Sequence, residues 1–220
     1  MRRLPVYLLL DVSGSMTGAK ITAVENGVQT MHSTLMGNPN ALETAYLSVI
    51  TFSDSAQQVV PLTELNQFVP PQLKAGGMTS LGGALKYVAE CVDREVVKGS
   101  SAEDKGDWKP LVFIMTDGAA TDSIEDGLAE FKKRKWGVVV ACGAGAGADM
   151  DGLKKITAPF ESTKTKTAVL KMDTADSASY EAFFQWVTDS IERNSDKVEQ
   201  GGEAGASDML PPAPEEIQIL

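Results

Sequence analysis

Apolar runs of strand length alternate along this chain with helix-length segments whose apolar residues recur every three or four positions. The strand-like runs cover residues 4–10, 45–53, 110–116, 136–142 and 168–172. The helical patterns cover residues 18–36, 81–96, 123–135, 149–157 and 176–194. A turn after residue 53 leads into a short run at 57–61, which predicts an antiparallel hairpin. This order predicts an α/β fold, with an open, mostly parallel six-stranded sheet, one antiparallel hairpin strand and helices on both faces.

The periodic pattern stops after residue 194. The remaining residues, 195–220, are rich in Gly and Pro and carry one lysine against six acidic residues from Asp196 onward. Such a segment buries too little apolar surface to fold by itself. We therefore divide the chain into a domain over residues 1–194 and an acidic, Gly/Pro-rich C-terminal tail over residues 195–220.

Charge and cysteine content narrow the class of function. The net charge of −10 argues against nucleic-acid binding and against binding to anionic membranes, which both need clustered Lys and Arg. The chain has two cysteines, Cys91 and Cys142, in a predicted helix and a predicted buried strand, so we expect packed thiols and a cytoplasmic protein. No apolar run is long enough to span a bilayer. The run after Arg2 and Arg3 is broken by Pro5, so it is read as the first strand.

Oxygen-bearing side chains follow the first strand at alternate positions, where they can converge on one side of the backbone. Gly14 lets this loop turn tightly. Hard oxygens aimed at one point suit a hard cation such as Mg²⁺, which takes about six oxygen ligands. Two later stretches, each beside the end of a predicted strand or loop, can complete the shell because parallel strands end at one edge of a sheet. The predicted metal ligands are Asp11, Ser13, Ser15, Thr79 and Asp117.

Together these segments resemble the von Willebrand factor A domain. The resemblance rests on Asp-x-Ser-x-Ser at 11–15, Thr79 after a glycine pair, and Thr-Asp-Gly at 116–118, and it covers roughly residues 4–194. In that family this set is the metal-ion-dependent adhesion site. The resemblance implies that the hydroxyls bind the cation directly and that the aspartates often act through water. It also implies that the cation, Mg²⁺ or else Mn²⁺ or Ca²⁺, keeps a position open for an acidic residue of a protein partner.

Four further segments, residues 2–11, 45–52, 60–65 and 106–113, resemble the bacterial TerY-type proteins of tellurite-resistance and stress-response clusters. This resemblance implies a protein of the bacterial cytoplasm. It also implies a partner from the same cluster, either a protein kinase or a PP2C-type phosphatase.

The predicted function is therefore a divalent-cation-dependent protein–protein interaction module that is not an enzyme. Two alternatives stay open. One is a metal-dependent phosphotransfer or phosphatase-like enzyme, since Asp11 or Asp117 would end a strand beside Mg²⁺. The other is a metal-free scaffold. Serine hydrolysis lacks its Gly-x-Ser-x-Gly elbow, and the single histidine, His32, is predicted on a helix surface.

A glycine-rich run later in the chain is a candidate for a different binding site. The run Gly143-Ala-Gly-Ala-Gly-Ala148 follows an apolar strand and precedes a helix, as a dinucleotide-binding loop does. Asp173 ends the next strand, but it lies 30 residues after Gly143 rather than the usual distance of about 20. We therefore favour an ordinary loop here.

The sequence of the tail leads to a separate hypothesis about the metal site. Its prolines favour an extended conformation that is preordered for binding. Adjacent carboxylates, Glu215 and Glu216, precede the apolar residues Ile217, Ile219 and Leu220. One of these carboxylates could take the open position of the metal, in cis or on a neighbouring molecule, which would give tail-mediated self-association. The alternatives are a solvated acidic tail and a docking peptide for another protein.

Overall fold

The computed structural model of the chain describes residues 2–101, 105–200 and 210–220. The strands are β1 (Leu4–Asp11), β2 (Ala45–Phe52), β3 (Ala56–Glu64), β4 (Leu111–Thr116), β5 (Val138–Ala144), β6 (Lys166–Met172) and β7 (Ile217–Ile219). The helices are α1 (Ala19–Leu35), α2 (Pro39–Thr44), α3 (Leu81–Glu95), α4 (Ile124–Phe131), α5 (Met150–Thr157) and α6 (Ser177–Glu199).

The strands form one sheet in the order β3-β2-β1-β4-β5-β6-β7. Strands β2, β1, β4, β5 and β6, which are neighbours in this order, are mutually parallel. Strand β3 pairs with β2, and β7 with β6, in antiparallel fashion. The α/β class, the mostly parallel sheet and the hairpin are thus confirmed. The sheet has seven strands and not the predicted six, because the tail contributes β7.

Strand β1 lies near the middle of the sheet, and all eight of its residues are buried. Leu8 and Leu10 face one hydrophobic cluster, which α1 and α6 cover. Tyr7 and Leu9 face a second cluster on the opposite side of the sheet, under α3, α4 and α5. Coverage on both faces is the reason that this strand reads as a continuous apolar run.

Three helical segments differ from the sequence-based expectation, and one of them, α4, ends at Phe131 and not at residue 135. Helix α2 was not predicted, since its six residues are too few for a periodic pattern; its start is capped by Asn38, whose Oδ1 accepts a hydrogen bond from Ala41 N at 3.0 Å. Helix α6 continues past residue 194 to Glu199, with Val198 still buried. The predicted boundary between domain and tail falls inside this helix and stays a prediction.

The described part of the tail is packed against the domain. Trp186 Nε1 donates to Pro211 O at 3.1 Å, and Leu220 N donates to Val169 O at 2.9 Å. Ile217, at the start of β7, is only 3% exposed. The Gly-rich linker that begins at Gly201 lies outside the described residues.

Two general expectations concern cysteine and membranes. Cys91 and Cys142 are both buried free thiols, and burial raises the pKa of Cys91 to about 11. Among the described residues, every helix falls short of the length and apolar character that crossing a bilayer requires.

Helices α3 and α4 approach each other through glycine. A Cβ placed on Gly127 would lie 1.9 Å from the carbonyl oxygen of Gly82 and 2.9 Å from its Cα. Such contacts are with backbone, so no side-chain rotation relieves them. The close crossing of the two helices therefore requires glycine at residue 127.

We expect Gly127→Ala to lower the free energy of unfolding by about 1–3 kcal/mol, because the added methyl must push two helices apart. Urea denaturation followed by circular dichroism measures this change. The matched control is Gly83→Ala, where a Cβ meets only Asp122 and Ser80 side-chain atoms at 3.5 Å or more. The control should keep or slightly raise stability, and equal losses in both variants would contradict the crossing constraint.

Candidate metal centre

Asp11 ends β1 with its side chain fully buried. Its Oδ1 accepts a hydrogen bond from Ser13 N at 2.8 Å, and its Oδ2 accepts one from Thr116 Oγ1 at 2.5 Å. Burial raises the pKa of Asp11, while hydrogen bonds from Ser13 and Thr116 oppose that rise. The carboxylate is thus held from two sides, by its own loop and by the neighbouring strand β4.

The two serines connect Asp11 to the second carboxylate. Ser13 Oγ and Ser15 Oγ share a hydrogen bond of 3.0 Å. Ser15 Oγ then donates to Asp117 Oδ1 at 2.5 Å. Asp117 follows β4 directly and is 5% exposed. Four of the five predicted ligands therefore form one continuous network at the carboxyl ends of β1 and β4.

Thr79 reaches the same edge from the loop before α3. A pair of hydrogen bonds fixes its backbone: Thr79 N donates to Thr121 Oγ1 at 3.1 Å, and Thr121 N donates to Thr79 O at 2.9 Å. The Thr79 hydroxyl lies 4.0 Å from the position of a Cβ placed on Gly118. The structure therefore places Thr79 beside the residue that follows Asp117.

The loop that carries Thr79 is pinned to the loop after β1. Gly14 N donates to Gly77 O at 3.0 Å, and Gly76 N donates to Val12 O at 2.8 Å. Gly77 has a φ of +82°, and a Cβ there would meet Asp54 Oδ2 at 2.7 Å. Glycine is required at this position for both reasons.

Asp54 is a supporting residue that sequence reasoning missed. Its Oδ1 accepts a hydrogen bond from Met78 N at 2.8 Å, and its backbone oxygen accepts one from Ser80 Oγ at 3.1 Å. These bonds hold the residues on both sides of Thr79. The only sequence signal was its position in the Ser-Asp-Ser turn after β2, which is equally typical of a turn with no further role.

Lys20 is the second residue that was missed. Its Nζ donates to Asp117 Oδ2 at 2.5 Å, and the Asp117 side chain is 1% exposed against 32% for Lys20. Lys20 lies in the first turn of α1, where the helix dipole disfavours a positive charge. That conflict was the signal in the sequence that Lys20 has an acidic partner. In this structure both oxygens of Asp117 are engaged, one by Ser15 and one by Lys20.

The donor set suits a hard divalent cation. It offers three hydroxyls and two carboxylates, all oxygen ligands, on backbone that other hydrogen bonds hold in place. Among the described residues, no group of three or more His, Cys, Asp or Glu side chains is placed to hold a metal ion. A cation here would therefore be bound largely by neutral hydroxyl ligands.

An exposed apolar residue borders the candidate site. Met78, immediately before Thr79, is 58% exposed although its backbone is held by Asp54. A single exposed apolar side chain is common on protein surfaces, and only the position of Met78 beside the site makes it a candidate contact for another molecule.

The glycine run at 143–148 has a structural explanation. A Cβ on Gly147 would lie 2.9 Å from Asp117 O, so glycine permits close packing against the metal-site loop. The amino end of α5 is closed by Asp149, whose Oδ1 accepts from Gly152 N at 3.0 Å. A phosphate at this helix end would meet a carboxylate, which argues against dinucleotide binding.

His32 likewise has a structural role. Its Nε2 lies 3.0 Å from Leu65 O, and its ring packs against Phe68 with centroids 5.3 Å apart. It lies on α1, partly buried, and ties this helix to the segment after β3.

The tail carboxylates lie at the same edge of the sheet but not at the site. Glu215 and Glu216 form the exposed turn before β7, whose first residue pairs with Met172 at the end of β6. Strands β5 and β6 separate β7 from β4, a lateral distance of about 14 Å at the usual strand spacing. In this conformation the two carboxylates do not reach the candidate ligands, so capping by the tail stays a hypothesis that needs a neighbouring molecule or an undocked tail.

Comparison with known families identifies a match to the von Willebrand factor type A domain over residues 6–183. Over 102 residues the chain is also 36% identical to the iron-binding protein IscA of Salmonella newport (strain SL254). That second match covers 44% of this chain and 94% of IscA. It leaves more than half of the chain unmatched, and the family assignment rests on the first match.

Solved structures share the fold at low sequence identity. A von Willebrand factor type A protein from Catenulispora acidiphila gives a TM-score of 0.62 at 15% identity, covering 87% of this chain and 43% of that one. Proximal thread matrix protein 1 from the mussel byssus, with a zinc-occupied MIDAS motif, gives 0.59 at 21%, covering 86% and 48%. The pilus adhesin SpaC from Lactobacillus rhamnosus GG gives 0.64 at 14%, covering 88% and 31%. The chain spans less than half the length of each of these solved chains.

The ion pair between Lys20 and Asp117 predicts opposite effects on stability and on metal affinity. Lys20→Met keeps the side-chain length but leaves a buried carboxylate without its counter-ion. In the presence of chelator we expect the variant to lose about 1–3 kcal/mol of unfolding free energy. We also expect tighter binding of Mg²⁺, because a cation no longer has to displace or tolerate the ammonium group.

Thermal melts of wild type and Lys20→Met, in EDTA and in saturating Mg²⁺, measure both effects together. The difference in melting temperature should shrink when metal is added, since the metal then supplies the missing positive charge. Lys164→Met, which removes an exposed lysine, is the control and should change neither quantity. An equal loss for Lys20→Met with and without metal would contradict competition between lysine and cation.

Proposed function

This chain belongs to the von Willebrand factor type A domain family, and we propose on that premise that it is a divalent-cation-dependent protein-interaction module. The proposed ligands of the cation are Asp11, Ser13, Ser15, Thr79 and Asp117. The observation that carries the proposal is the hydrogen-bonded network from Asp11 through both serines to Asp117 at the open edge of the sheet. Such a network of oxygen atoms alone is the environment that a hard cation prefers.

The chemistry of this donor set explains how a partner would be bound. Hydroxyl ligands carry no charge, so a cation among Ser13, Ser15 and Thr79 would retain most of its positive charge. The cation would then attract a carboxylate of another protein into an open coordination position. We propose Mg²⁺ as the cation, with Mn²⁺ and Ca²⁺ as alternatives, and the zinc in the mussel protein supports a divalent ion of some kind.

The site argues for binding over phosphotransfer. An aspartate that accepts a phosphoryl group needs a carboxylate oxygen free to attack, whereas both oxygens of Asp11 accept hydrogen bonds at 2.8 Å or less. Asp117 is engaged on both oxygens as well. These contacts suit residues that position ligands, and we therefore propose that the protein is not an enzyme.

The cellular setting is proposed from the sequence alone. From the TerY-type resemblance we propose that the protein acts in the bacterial cytoplasm, within a tellurite-resistance or stress-response system. A kinase or PP2C-type phosphatase of the same system would then be the partner that offers the acidic residue.

Isothermal titration calorimetry with Mg²⁺, Mn²⁺, Ca²⁺ and Zn²⁺ tests the metal site directly. We expect one site of modest affinity, and we expect Asp11→Ala and Asp117→Ala to abolish binding because each removes a carboxylate of the shell. Circular dichroism melts in EDTA establish that the variants are folded. Wild-type metal affinity in both folded variants would contradict the assignment of Asp11 and Asp117 to the metal site.

Variants at two adjacent residues, Thr79 and Met78, should distinguish metal binding from partner binding. Thr79→Ala removes a proposed ligand, so it should weaken both metal affinity and chelator-sensitive capture of partners from the native host. Met78→Ser changes an exposed rim residue that is not a ligand, so it should weaken capture while metal affinity stays at the wild-type value. Loss of metal affinity in Met78→Ser would show that the loop, and not the rim contact, had been disturbed.

A further inference from the structure

A second surface lies at the amino ends of the strands, opposite the candidate metal centre. Here a cleft of about 980 Å³ opens between the segments that lead into β1, β4 and β5 and the segments that follow α3 and α4. Strands β1, β4 and β5 are parallel, so their amino ends, at the cleft, and their carboxyl ends, at the candidate metal centre, lie at opposite edges of the sheet.

The charge of this cleft is opposite to that of the chain. Among the residues that the structure describes, seven cationic side chains and two carboxylates line it, in a protein with 20 Lys and Arg residues and a net charge of −10. Over a third of all positive charge is therefore gathered in one concave surface. Clefts of one charge sign focus the electrostatic field and attract ligands of the opposite sign.

Part of this charge has internal partners. Arg2 donates to Gly106 O at 2.7 Å, and its guanidinium lies 3.6 Å from the ring centroid of Trp108. Arg134 pairs with Asp93 at 2.5 Å, and Lys133 pairs with Glu130 at 2.7 Å. The arginines of the cleft are thus committed to contacts within the domain.

Three lysines have no such partner. Within residues 2–101, 105–200 and 210–220, the ammonium groups of Lys105, Lys109 and Lys135 make no hydrogen bond or ion pair. Lys109 and Lys135 precede the neighbouring strands β4 and β5, whose first residues pair in register as Leu111 with Val138. The sheet therefore brings the backbone positions of two lysines close together on neighbouring strands, so an acidic ligand bound across both strands can meet both charges.

The dipole of α4 favours the basic run after it, which includes Lys135, but it does not account for Lys109. The run that includes Lys133 follows the carboxyl end of α4, where positive charge is favourable. Lys109 instead lies in the connection before β4, beyond any helix end. Its ammonium group has no hydrogen-bond or ion-pair partner among the described residues.

We propose that this cleft binds a short, carboxylate-rich segment of a partner protein. Lysines present mobile point charges that suit scattered Asp and Glu side chains, whereas phosphate recognition favours the bidentate fork of free arginines, and the arginines here are occupied. A nucleic acid would have to run from the cleft onto a strongly acidic surface. The protein would then hold one partner at its metal edge and a second, acidic partner at the opposite end.

Fluorescence anisotropy with a labelled oligoglutamate peptide tests this proposal on the full chain. We expect saturable binding that weakens as salt is raised from below to above the physiological level. We expect Lys109→Glu combined with Lys135→Glu to weaken binding by about tenfold or more. EDTA should leave the affinity unchanged, which distinguishes this site from the proposed metal centre.

The control variant combines Lys86→Glu with Lys164→Glu, two exposed lysines outside the cleft, and alters the net charge by the same amount. It should bind the peptide within about twofold of wild type. Equal weakening in both variants would show an effect of net charge alone and overturn the proposal. Tighter binding of a matched phosphoserine peptide or a single-stranded oligonucleotide would overturn the choice of partner, and melts of both variants confirm that they are folded.

Discussion

The burial of two carboxylates, Asp11 and Asp117, constrains the residues around them. The parallel pairing of β1 with β4 brings the ends of the two strands side by side, so both negative charges arrive at one point of the sheet edge. Burying a charge without a partner is costly in free energy. Hydrogen bonds from the surrounding residues offset that cost. Thr116 and Ser13 donate to Asp11, while Ser15 and Lys20 donate to Asp117.

This arrangement gives the site two properties at once. The loops that carry the hydroxyls are fixed by bonds that involve no metal, such as Gly14 N to Gly77 O and the pair between Thr79 and Thr121. A ligand set that is already ordered loses little conformational entropy when a cation binds. Lys20 meanwhile gives Asp117 a counter-ion of the protein's own, which stabilises this buried carboxylate without a metal.

Elements with long, two-sided burial could be predicted from the sequence, and those fixed by tertiary contact could not. Strand β1 and helix α3 follow from runs of apolar residues at strand and helix spacing. The gathering of Asp11 and Asp117 follows from sheet polarity alone. Strand β7 could not be predicted, because three residues carry no pattern and its burial depends on β6. Lys20 escaped prediction since nothing local shows which acidic residue it meets across the fold.

The polarity of the parallel sheet also accounts for the separation of charge along the molecule. At the carboxyl edge, acidic side chains sit near helix amino ends, whose dipoles favour negative charge. At the opposite edge, helix carboxyl ends favour positive charge, and the basic run after α4 lies there. A protein that is acidic overall can in this way present a basic cleft without the two charge types neutralising each other. Because the rigid sheet separates the two surfaces, occupation of one leaves the other sterically accessible, which is the geometry that a two-partner adaptor requires.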